Sequence, residues 1–311
     1  MPQFPASALP TAGSVPTILL TGATGNVGTE LTRLLAARGI PFRALVRDVT
    51  STAAQALQAL PGAELVAGDL NDAASVRRAL VGIERAFLLT PSSAQAEAQQ
   101  LAFVEQARQA GVQHLVKLSQ WAAAPDSPVR FLRYHAVVEA AIQASGLAYT
   151  FLRPNLFMQG LLAFKDAIAA QGQFFAPIGE AEISVVDVRD IAAAATAALT
   201  ETGHENHTYD LTGPQALTHA DLAQALALAI DRPVAFVDVP PTAMRGALLG
   251  MGMDPWMAEG LVEDYAHYHR GEAAVVAPGV QQATGRAPRA FADFARDYAP
   301  AFGAASSVVA N

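Results

Sequence analysis

The hydrophobic pattern of the first 150 residues alternates between two kinds of segment. Short apolar runs predict strands at 18–20, 42–46, 63–67, 85–89, 114–118 and 148–152. Between them, apolar residues recur every three or four positions and predict helices near 26–38, 51–60, 72–81, 93–110 and 129–145. This alternation indicates an α/β fold with a Rossmann-type, doubly wound parallel sheet. A ligand crevice is then expected at the carboxyl ends of the strands.

The pattern becomes less regular after residue 155. Helices are predicted near 156–170, 187–200, 218–229, 241–249, 255–270 and 289–298, with short strands at 184–186, 208–211 and 234–239. We therefore expect a nucleotide-binding domain over 16–155 and a smaller, mostly helical substrate lobe over 156–311. Some segments of that lobe are expected to return to the sheet. Residues 1–15 hold three prolines and predict a loose tail.

Three glycines at three-residue spacing follow the first predicted strand, and a helix begins within them. Free N–H groups at a helix N-terminus attract a diphosphate, so this order of strand, glycine turn and helix predicts a dinucleotide site. An alternative is a glycine-rich turn without a ligand. The residues expected to hold the dinucleotide are Gly22, Thr24, Gly25, Asn26 and Val27, with Gly28 allowing the helix to pack closely on the strand.

The end of the second predicted strand carries both a basic and an acidic residue, Arg47 and Asp48. An arginine at this place pairs with the 2′-phosphate of NADP(H), whereas a carboxylate accepts a hydrogen bond from the ribose of NAD(H). Because Arg47 leaves the strand first, NADP(H) is favoured over NAD(H). The alternative for Arg47 is a solvated surface arginine.

Two further strand ends supply candidate cofactor contacts. Asp69 and Leu70 follow the third strand, where they are expected to flank the adenine, although Asp69 also suits a helix cap. Thr90 and Pro91 follow the fourth strand and are expected beside the cofactor, although Pro91 equally suits an ordinary turn.

Candidate catalytic residues lie at and after the fifth strand: Ser119, Tyr134 and His135. Short-chain dehydrogenases place a serine at this strand end and a Tyr-x-x-x-Lys pair on the next helix, where the lysine lowers the tyrosine pKa. Here Val138 stands four residues after Tyr134. A tyrosine without its cation keeps a pKa near ~10 and is a poor acid. His135 could instead pair with Glu139 on the helix surface.

Composition excludes several classes of function. The net charge of −8 and the scattered basic residues argue against nucleic-acid binding, and the absence of cysteine excludes disulfides and thiolate metal sites. No metal site is expected either, because His267 and His269 point about 200° apart on a helix. No apolar run approaches the ~18 residues of a membrane span, and no secretory signal is evident. We expect a soluble, cytoplasmic protein, either a monomer or a homodimer.

The chain resembles the NmrA-like, atypical short-chain dehydrogenase/reductase family over roughly residues 16–300. The segments that carry the resemblance are 21–28 (TGATGNVG), 134–139 (YHAVVE), 145–155 (SGLAYTFLRPN), 203–210 (GHENHTYD) and 284–289 (TGRAPR). It is most similar to the branch of NADPH-dependent quinone reductases and triphenylmethane dye reductases. The resemblance implies NADPH at the glycines, Arg47 at its 2′-phosphate, and Leu152, Pro154 and Asn155 beside the nicotinamide.

These expectations combine into one functional hypothesis: NADPH-dependent hydride transfer to a quinone-like or other conjugated electrophile. A ketone needs a proton donor for its basic alkoxide, whereas a quinone or cationic dye needs mainly positioning. The family also implies a rival, a non-enzymatic NADP(H) sensor that acts through a protein partner. A nucleotide-sugar epimerase or dehydratase is disfavoured by the missing lysine.

The second lobe offers side chains for a small aromatic substrate. Thioether and aromatic groups adapt to flat ligands, although ordinary helix packing explains the same residues. The candidates are Met251, Met253, Trp256, Met257 and Tyr265, together with the pairs Phe157-Met158 and Phe174-Phe175.

Overall fold

Seven parallel strands form the central sheet, in the order β3-β2-β1-β4-β5-β6-β8. The computed structural model describes residues 15–303, so the predicted tail lies, apart from Val15, outside the described residues. The first six strands have the Rossmann order, which confirms the predicted fold class. The strands are β1 Ile18–Leu20, β2 Phe42–Val46, β3 Ala63–Ala67, β4 Arg85–Leu88, β5 His114–Leu118, β6 Ala148–Pro154 and β8 His207–Leu211, and β7 Gln173–Ala176 pairs with β9 Ala235–Asp238 in a second sheet.

Helices connect the strands at the positions that the periodicity predicts. Side-chain caps begin several of them: Ser51 and Asp72 cap α2 and α3, and Thr218 and Asp221 form a capping box on α8. The helices are α1 Asn26–Ala37, α2 Thr52–Gln58, α3 Ala73–Ala79, α4 Ala96–Ala110, α5 Arg130–Ala144, α6 Lys165–Gln171, α7 Val188–Thr200, α8 His219–Ile230, α9 Pro241–Gly250, α10 Pro255–His269, α11 Gly279–Thr284 and α12 Phe291–Asp297, with 3-10 helices at Met158–Phe164 and Ala299–Phe302.

Both faces of the sheet are buried. Leu20 packs with α1 and α7 on one face, and its neighbour Leu19 packs with α3, α4 and α5 on the other. Successive side chains of a strand point to opposite faces, so this division follows directly from the pleat. A strand buried on both faces needs a continuous apolar run, which explains why the strands of this sheet are so clearly marked in the sequence.

The second half of the chain contributes to two bodies. Helix α7 packs against α1, and β8 extends the sheet beside β6. The 3-10 helix Met158–Phe164, the small sheet, α6, α8 and α12 build a separate apolar core around Phe174 and Phe294. No helix within residues 15–303 has both the length and the apolar character needed to cross a membrane.

In this half, one strand prediction is wrong and one strand was missed. Residues 184–186 form no strand; Ile183 and Val186 instead make isolated bridges to two different segments, at Leu217 and Phe157. Strand β7 was not predicted. It is short, and its pairing partner β9 lies about sixty residues away in the chain, which local periodicity does not register.

Candidate functional site

The glycine turn lies at the carboxyl end of β1, where α1 begins. A Cβ on Gly28 would lie 2.2 Å from the carbonyl oxygen of Gly22, so the packing of helix on strand requires glycine there. Gly22 itself has a φ of +65° and borders Leu89. These two glycines are explained by the fold alone.

Gly25 is different, because the fold does not require it. Its backbone is extended (φ −83°, ψ −179°), and a Cβ there would meet nothing closer than the Gly22 oxygen at 3.5 Å. Gly25 is the N-cap of α1, no side chain caps this helix, and the first helical bond runs from the Thr29 N–H to the Gly25 oxygen. The preceding N–H groups of the first turn therefore face outward without helical acceptors.

This turn fits a dinucleotide diphosphate. Thr24, Gly25 and Asn26 are exposed, whereas the Val27 side chain is buried in the core. Val27 can therefore contribute only its backbone N–H. An open glycine at a bare helix N-terminus leaves room for a phosphate that any side chain would displace.

Arg47 and Asp48, the two charged residues after β2, differ in whether their side chains are free to bind a ligand. The Asp48 carboxylate accepts hydrogen bonds from the Thr50 N–H at 2.8 Å and the Thr50 hydroxyl at 2.6 Å, and these bonds lower the pKa of Asp48. Asp48 is thus engaged in its own loop. Arg47 is exposed, and the described part of the chain provides no ion pair for it. Of the two side chains, Arg47 is the one available to a ligand.

Asp69 is held within its own turn. Its carboxylate accepts bonds from the Asn71 N–H at 2.8 Å and the Asn71 amide at 3.0 Å. Asp72, not Asp69, caps α3. The exposed Asp69 and the half-buried Leu70 remain at the strand end, where an adenine contact is still a prediction.

At the end of β4, Thr90 is buried and Pro91 is exposed. The Thr90 hydroxyl accepts a hydrogen bond from the Gln100 side chain at 2.7 Å. Thr90 therefore ties the strand end to α4, whereas its neighbour Pro91 is exposed.

Ser119 belongs to a buried polar cluster under the ends of β5 and β6. Its hydroxyl donates to the Glu139 carboxylate at 2.5 Å, and the same carboxylate forms an ion pair with Arg153. Glu139 is 4% exposed. The interpretation of Glu139 as a surface partner of His135 is therefore wrong: the carboxylate points inward and is saturated by Ser119 and Arg153.

His135 contacts a lysine that the sequence argument missed. Lys117 lies in the middle of β5, is fully buried, and its Nζ lies 2.8 Å from His135 Nδ1 and 3.2 Å from the Leu118 oxygen. Burial lowers the pKa of Lys117 to about 7, and burial together with Lys117 and Arg153 lowers the pKa of His135 well below its ordinary value. A lysine among the apolar residues Leu115, Val116 and Leu118 of this strand was the available signal, because lysine is almost never fully buried without a partner.

Tyr134 is a poor candidate for an acid. Its hydroxyl shares a hydrogen bond of 3.0 Å with Ser92, and its ring packs near Trp256 and Phe131. Burial raises the pKa of Tyr134 to about 12. A tyrosine that donates protons near neutral pH needs the opposite shift, so the geometry argues against the predicted catalytic role.

The segment expected beside the nicotinamide uses its groups elsewhere. The Leu152 side chain is fully buried, and its carbonyl oxygen accepts from the Ser119 N–H at 2.7 Å. The Pro154 oxygen accepts from Trp121, and the Asn155 amide donates to Ser184 and to the Ala273 carbonyl. These groups therefore have structural partners within the protein, and the place of Leu152, Pro154 and Asn155 beside the nicotinamide stays a prediction.

A cavity of about 260 Å³ opens directly after β6. Leu156, Phe157 and Met158 form its wall next to the strand end. The remaining wall comes from the rest of the 3-10 helix, Val185, β7, α8, α9, Met253, α10 and Phe291 of α12. Of the described residues that line it, His219 and Tyr265 carry the only side-chain nitrogen or oxygen atoms. The cavity is otherwise apolar and suits a flat ring system.

Some of the second-lobe side chains that were predicted to contact an aromatic substrate line this cavity, and others do not. Met253 and Tyr265 line the cavity, as do both members of the pairs Phe157-Met158 and Phe174-Phe175. Met251 is 74% exposed instead. Trp256 and Met257 pack against α5, which is the ordinary helix packing that the sequence left open.

No group of three or more histidine, aspartate or glutamate side chains within residues 15–303 is arranged to hold a metal ion. Glu263, on the same helix as His267, instead forms an ion pair with Arg130 at 2.6 Å.

Comparison with known proteins gives consistent relatives. A model of the NmrA-like family matches residues 15–290. An NAD(P)H azoreductase from Xenophilus azovorans is 42% identical over 93% of this chain and 100% of its own. A (4-alkanoyl-5-oxo-2,5-dihydrofuran-3-yl)methyl phosphate reductase from Streptomyces griseus is 37% identical over 92% of this chain and 99% of its own.

A solved structure shares the fold over nearly its full length. The NADPH-dependent quinone oxidoreductase 2 of Escherichia coli, crystallised with NADPH, superposes with a TM-score of 0.80 and 27% identity. The match covers 90% of this chain and 99% of the other.

Proposed function

The chain belongs to the NmrA-like family, and from this premise we propose that it transfers a hydride from NADPH to a quinone-like or other conjugated electrophile. The expected family is confirmed, with the quinone-reductase branch among its relatives. The protein is an NAD(P)H-dependent oxidoreductase, as its azoreductase and quinone oxidoreductase relatives are, and NADP(H) is its cofactor. The chemical class of the hydride acceptor is the part that we propose.

The residues for the dinucleotide follow from the turn and the strand ends. Gly22, Thr24, Gly25 and Asn26, with the Val27 N–H, surround the diphosphate position, and Arg47 would hold the 2′-phosphate. Asp69, Leu70 and Pro91 border the remaining groove. When bound, NADPH supplies the hydride.

One observation carries the choice of acceptor: the apolar cavity that opens beside the end of β6. Its volume of about 260 Å³ admits a compact ring system and few polar substituents. The names of the relatives point to the same chemistry. Quinones, azo compounds and a dihydrofuran with two carbonyl substituents all contain a conjugated bond that accepts a hydride.

The polar cluster favours the same class. Tyr134, His135 and Ser119 are engaged by Ser92, Lys117 and Glu139, so none of these three candidate side chains is free to protonate an alkoxide. A conjugated acceptor tolerates this, because its reduced form is a stabilised anion that takes its proton from water. Catalysis then depends mainly on positioning the acceptor.

The test is NADPH oxidation at 340 nm with a conjugated series and an unconjugated control. We expect turnover of 1,4-naphthoquinone, 4-phenylazophenol and 2-cyclohexenone, and none of cyclohexanone. A tryptophan in the cavity wall, Leu248→Trp, should lower kcat/KM at least about tenfold without changing NADPH binding. Its matched control is Leu228→Trp, at a position that is 80% exposed on α8.

The sensor hypothesis gives the opposite result in the same assay. Saturable NADPH binding without turnover of any acceptor would favour the sensor and overturn our proposal. Reduction of cyclohexanone at a comparable rate would refute the argument from conjugation.

A further inference from the structure

Two polar side chains interrupt the apolar wall of the cavity. His219 is the first residue of α8, directly after the N-cap Thr218, and Tyr265 comes from the second half of α10. Their ring centroids lie 6.2 Å apart in an edge-on arrangement, and Phe174 and Phe236 flank the imidazole at 6.0 and 5.1 Å. Elements distant in the chain thus bring these two groups to the same cavity.

The imidazole of His219 is buried without being satisfied. It is 2% exposed, and its Nδ1 has no hydrogen-bond partner within residues 15–303. Burial lowers the pKa of His219 to about 4, so the ring is neutral at pH 7 and offers one donor and one acceptor. A buried polar atom without a partner carries a free-energy penalty, which a hydrogen bond with a bound ligand would remove.

Tyr265 supplies a second neutral group. Its side chain is partly buried, and burial with the neighbouring Asp264 raises the pKa of Tyr265 to about 12, so its hydroxyl stays protonated. The adjacent Tyr268 differs, because its hydroxyl donates to Asp264 at 2.7 Å. Tyr265 is therefore the tyrosine of this pair whose hydroxyl remains for a ligand in the cavity.

The cavity has no counter-charge for an ionised ligand. No lysine, arginine, aspartate or glutamate is among the described residues that line it. A carboxylate or sulfonate that entered would lose its hydration without gaining an ion pair, which is strongly unfavourable.

We propose that His219 and Tyr265 determine specificity: they hydrogen-bond one oxygen of an uncharged aromatic ring that fills this cavity, and the cavity rejects ionised rings. This inference rests on the proposed function, since it describes the acceptor that the reductase selects. It is tested by binding rather than by turnover, so the two proposals fail separately.

The experiment titrates naphthalene, 2-naphthol and 2-naphthoate into protein saturated with NADP⁺, with calorimetry at pH 7. These ligands share one ring system and are not hydride acceptors. We expect 2-naphthol to bind about tenfold more tightly than naphthalene, because it makes a hydrogen bond to a group that is otherwise unpaired. We expect no saturation by 2-naphthoate.

Two variants assign the preference to the named residues. His219→Phe and Tyr265→Phe keep an aromatic ring but remove its polar atoms, and each should weaken 2-naphthol binding about tenfold while leaving naphthalene within about twofold. Tyr149→Phe, which removes a hydroxyl that is bonded to Gln143 far from the cavity, should change neither. Naphthalene binding also reports whether a variant keeps the cavity intact.

The results of these titrations distinguish a failure of this inference from a failure of the proposed function. The inference is overturned if no naphthalene-based ligand binds, if 2-naphthoate binds as tightly as 2-naphthol, or if neither variant alters the preference. Quinone turnover without this preference would overturn the inference alone. The preference without turnover of any acceptor would overturn the proposed function alone.

Discussion

Gly25→Ala separates the requirements of the dinucleotide from those of the fold. The new methyl group would meet only the Gly22 oxygen, at 3.5 Å, and the backbone there is extended, so no strain arises. Lower entropy of the unfolded chain should stabilise the variant by about 0.4–1 kcal/mol. Loss of the glycine N-cap should destabilise it by roughly as much. We therefore expect a free energy of unfolding within about 1 kcal/mol of the wild type.

The same methyl group should weaken NADPH binding. It would stand on the open side of the turn, where a phosphate must approach the bare N-terminus of α1. Displacing the phosphate loses at least one charge-assisted hydrogen bond, about 1.5–3 kcal/mol, so the Kd should rise at least about tenfold. Calorimetric titration with NADPH measures the Kd, and thermal unfolding measures stability.

Gly28→Ala is the matched control in the same turn. Its Cβ would lie 2.2 Å from the Gly22 oxygen and 2.6 Å from the Ala23 Cα, both backbone atoms that cannot rotate away. Overpacking of this kind destabilises by about 1–3 kcal/mol, which for a chain of this length lowers Tm by roughly 2–5 °C. If Gly25→Ala binds NADPH with wild-type affinity, or unfolds like Gly28→Ala, the assignment of this turn to the diphosphate is refuted.

Three further predictions concern the strand ends and the buried cluster. Arg47→Ala should weaken NADPH binding at least about tenfold and leave the affinity for NADH unchanged. The control Arg108→Ala, on α4, should change the affinity for neither nucleotide. Equal losses of affinity for NADPH and NADH in Arg47→Ala would contradict the 2′-phosphate role. Tyr134→Phe should keep kcat for 1,4-naphthoquinone within about twofold and destabilise by about 1 kcal/mol through loss of the bond to Ser92; a collapse of kcat would restore Tyr134 as a catalytic residue. The pKa of Lys117 is about 7 in the folded protein and near 10.5 in the unfolded chain. Between pH 7 and 10.5 the unfolded chain therefore binds more protons than the folded protein, so the free energy of unfolding should rise with pH over this range. Thermal unfolding of Lys117→Met from pH 7 to 9.5 should show a smaller slope than wild type, and an equal slope would refute the low pKa.

The central sheet was predictable because its signals are local. Each of β1 to β6 is an apolar run bounded by a helix, and both faces are buried, so neighbouring residues alone mark the strands. Strand β7 was not predictable from the sequence, because Gln173–Ala176 becomes a strand only by pairing with Ala235–Asp238. The local pattern therefore sufficed for the part of the fold to which we assign the dinucleotide, and failed where the cavity is assembled.

The candidate site likewise contains residues that local sequence predicts and residues that depend on tertiary packing. Gly25 and Arg47 follow from sequence position, because the end of each strand in a parallel sheet has a known place. The contacts of Lys117 with His135 and of Ser119 with Glu139 cross between β5 and α5 and depend on how the helix rotates onto the sheet. His219 gave no signal at all, since its importance arises only from the cavity that surrounds it.

Under the proposed function, the buried cluster of Lys117, Ser119, His135, Glu139 and Arg153 gives a physical reason for catalysis by positioning in place of acid–base chemistry. In a short-chain dehydrogenase the serine and tyrosine at these places must reach the substrate, and a lysine must lower the tyrosine pKa. Here the lysine comes from β5 and contacts His135, while Glu139 binds Ser119 and pairs with Arg153. Each polar group therefore stabilises its neighbour instead of a developing alkoxide. Under the proposed function, the acceptor's reduced form takes no proton from the protein, so we expect the selectivity for conjugated acceptors to persist even when a ketone fits the cavity.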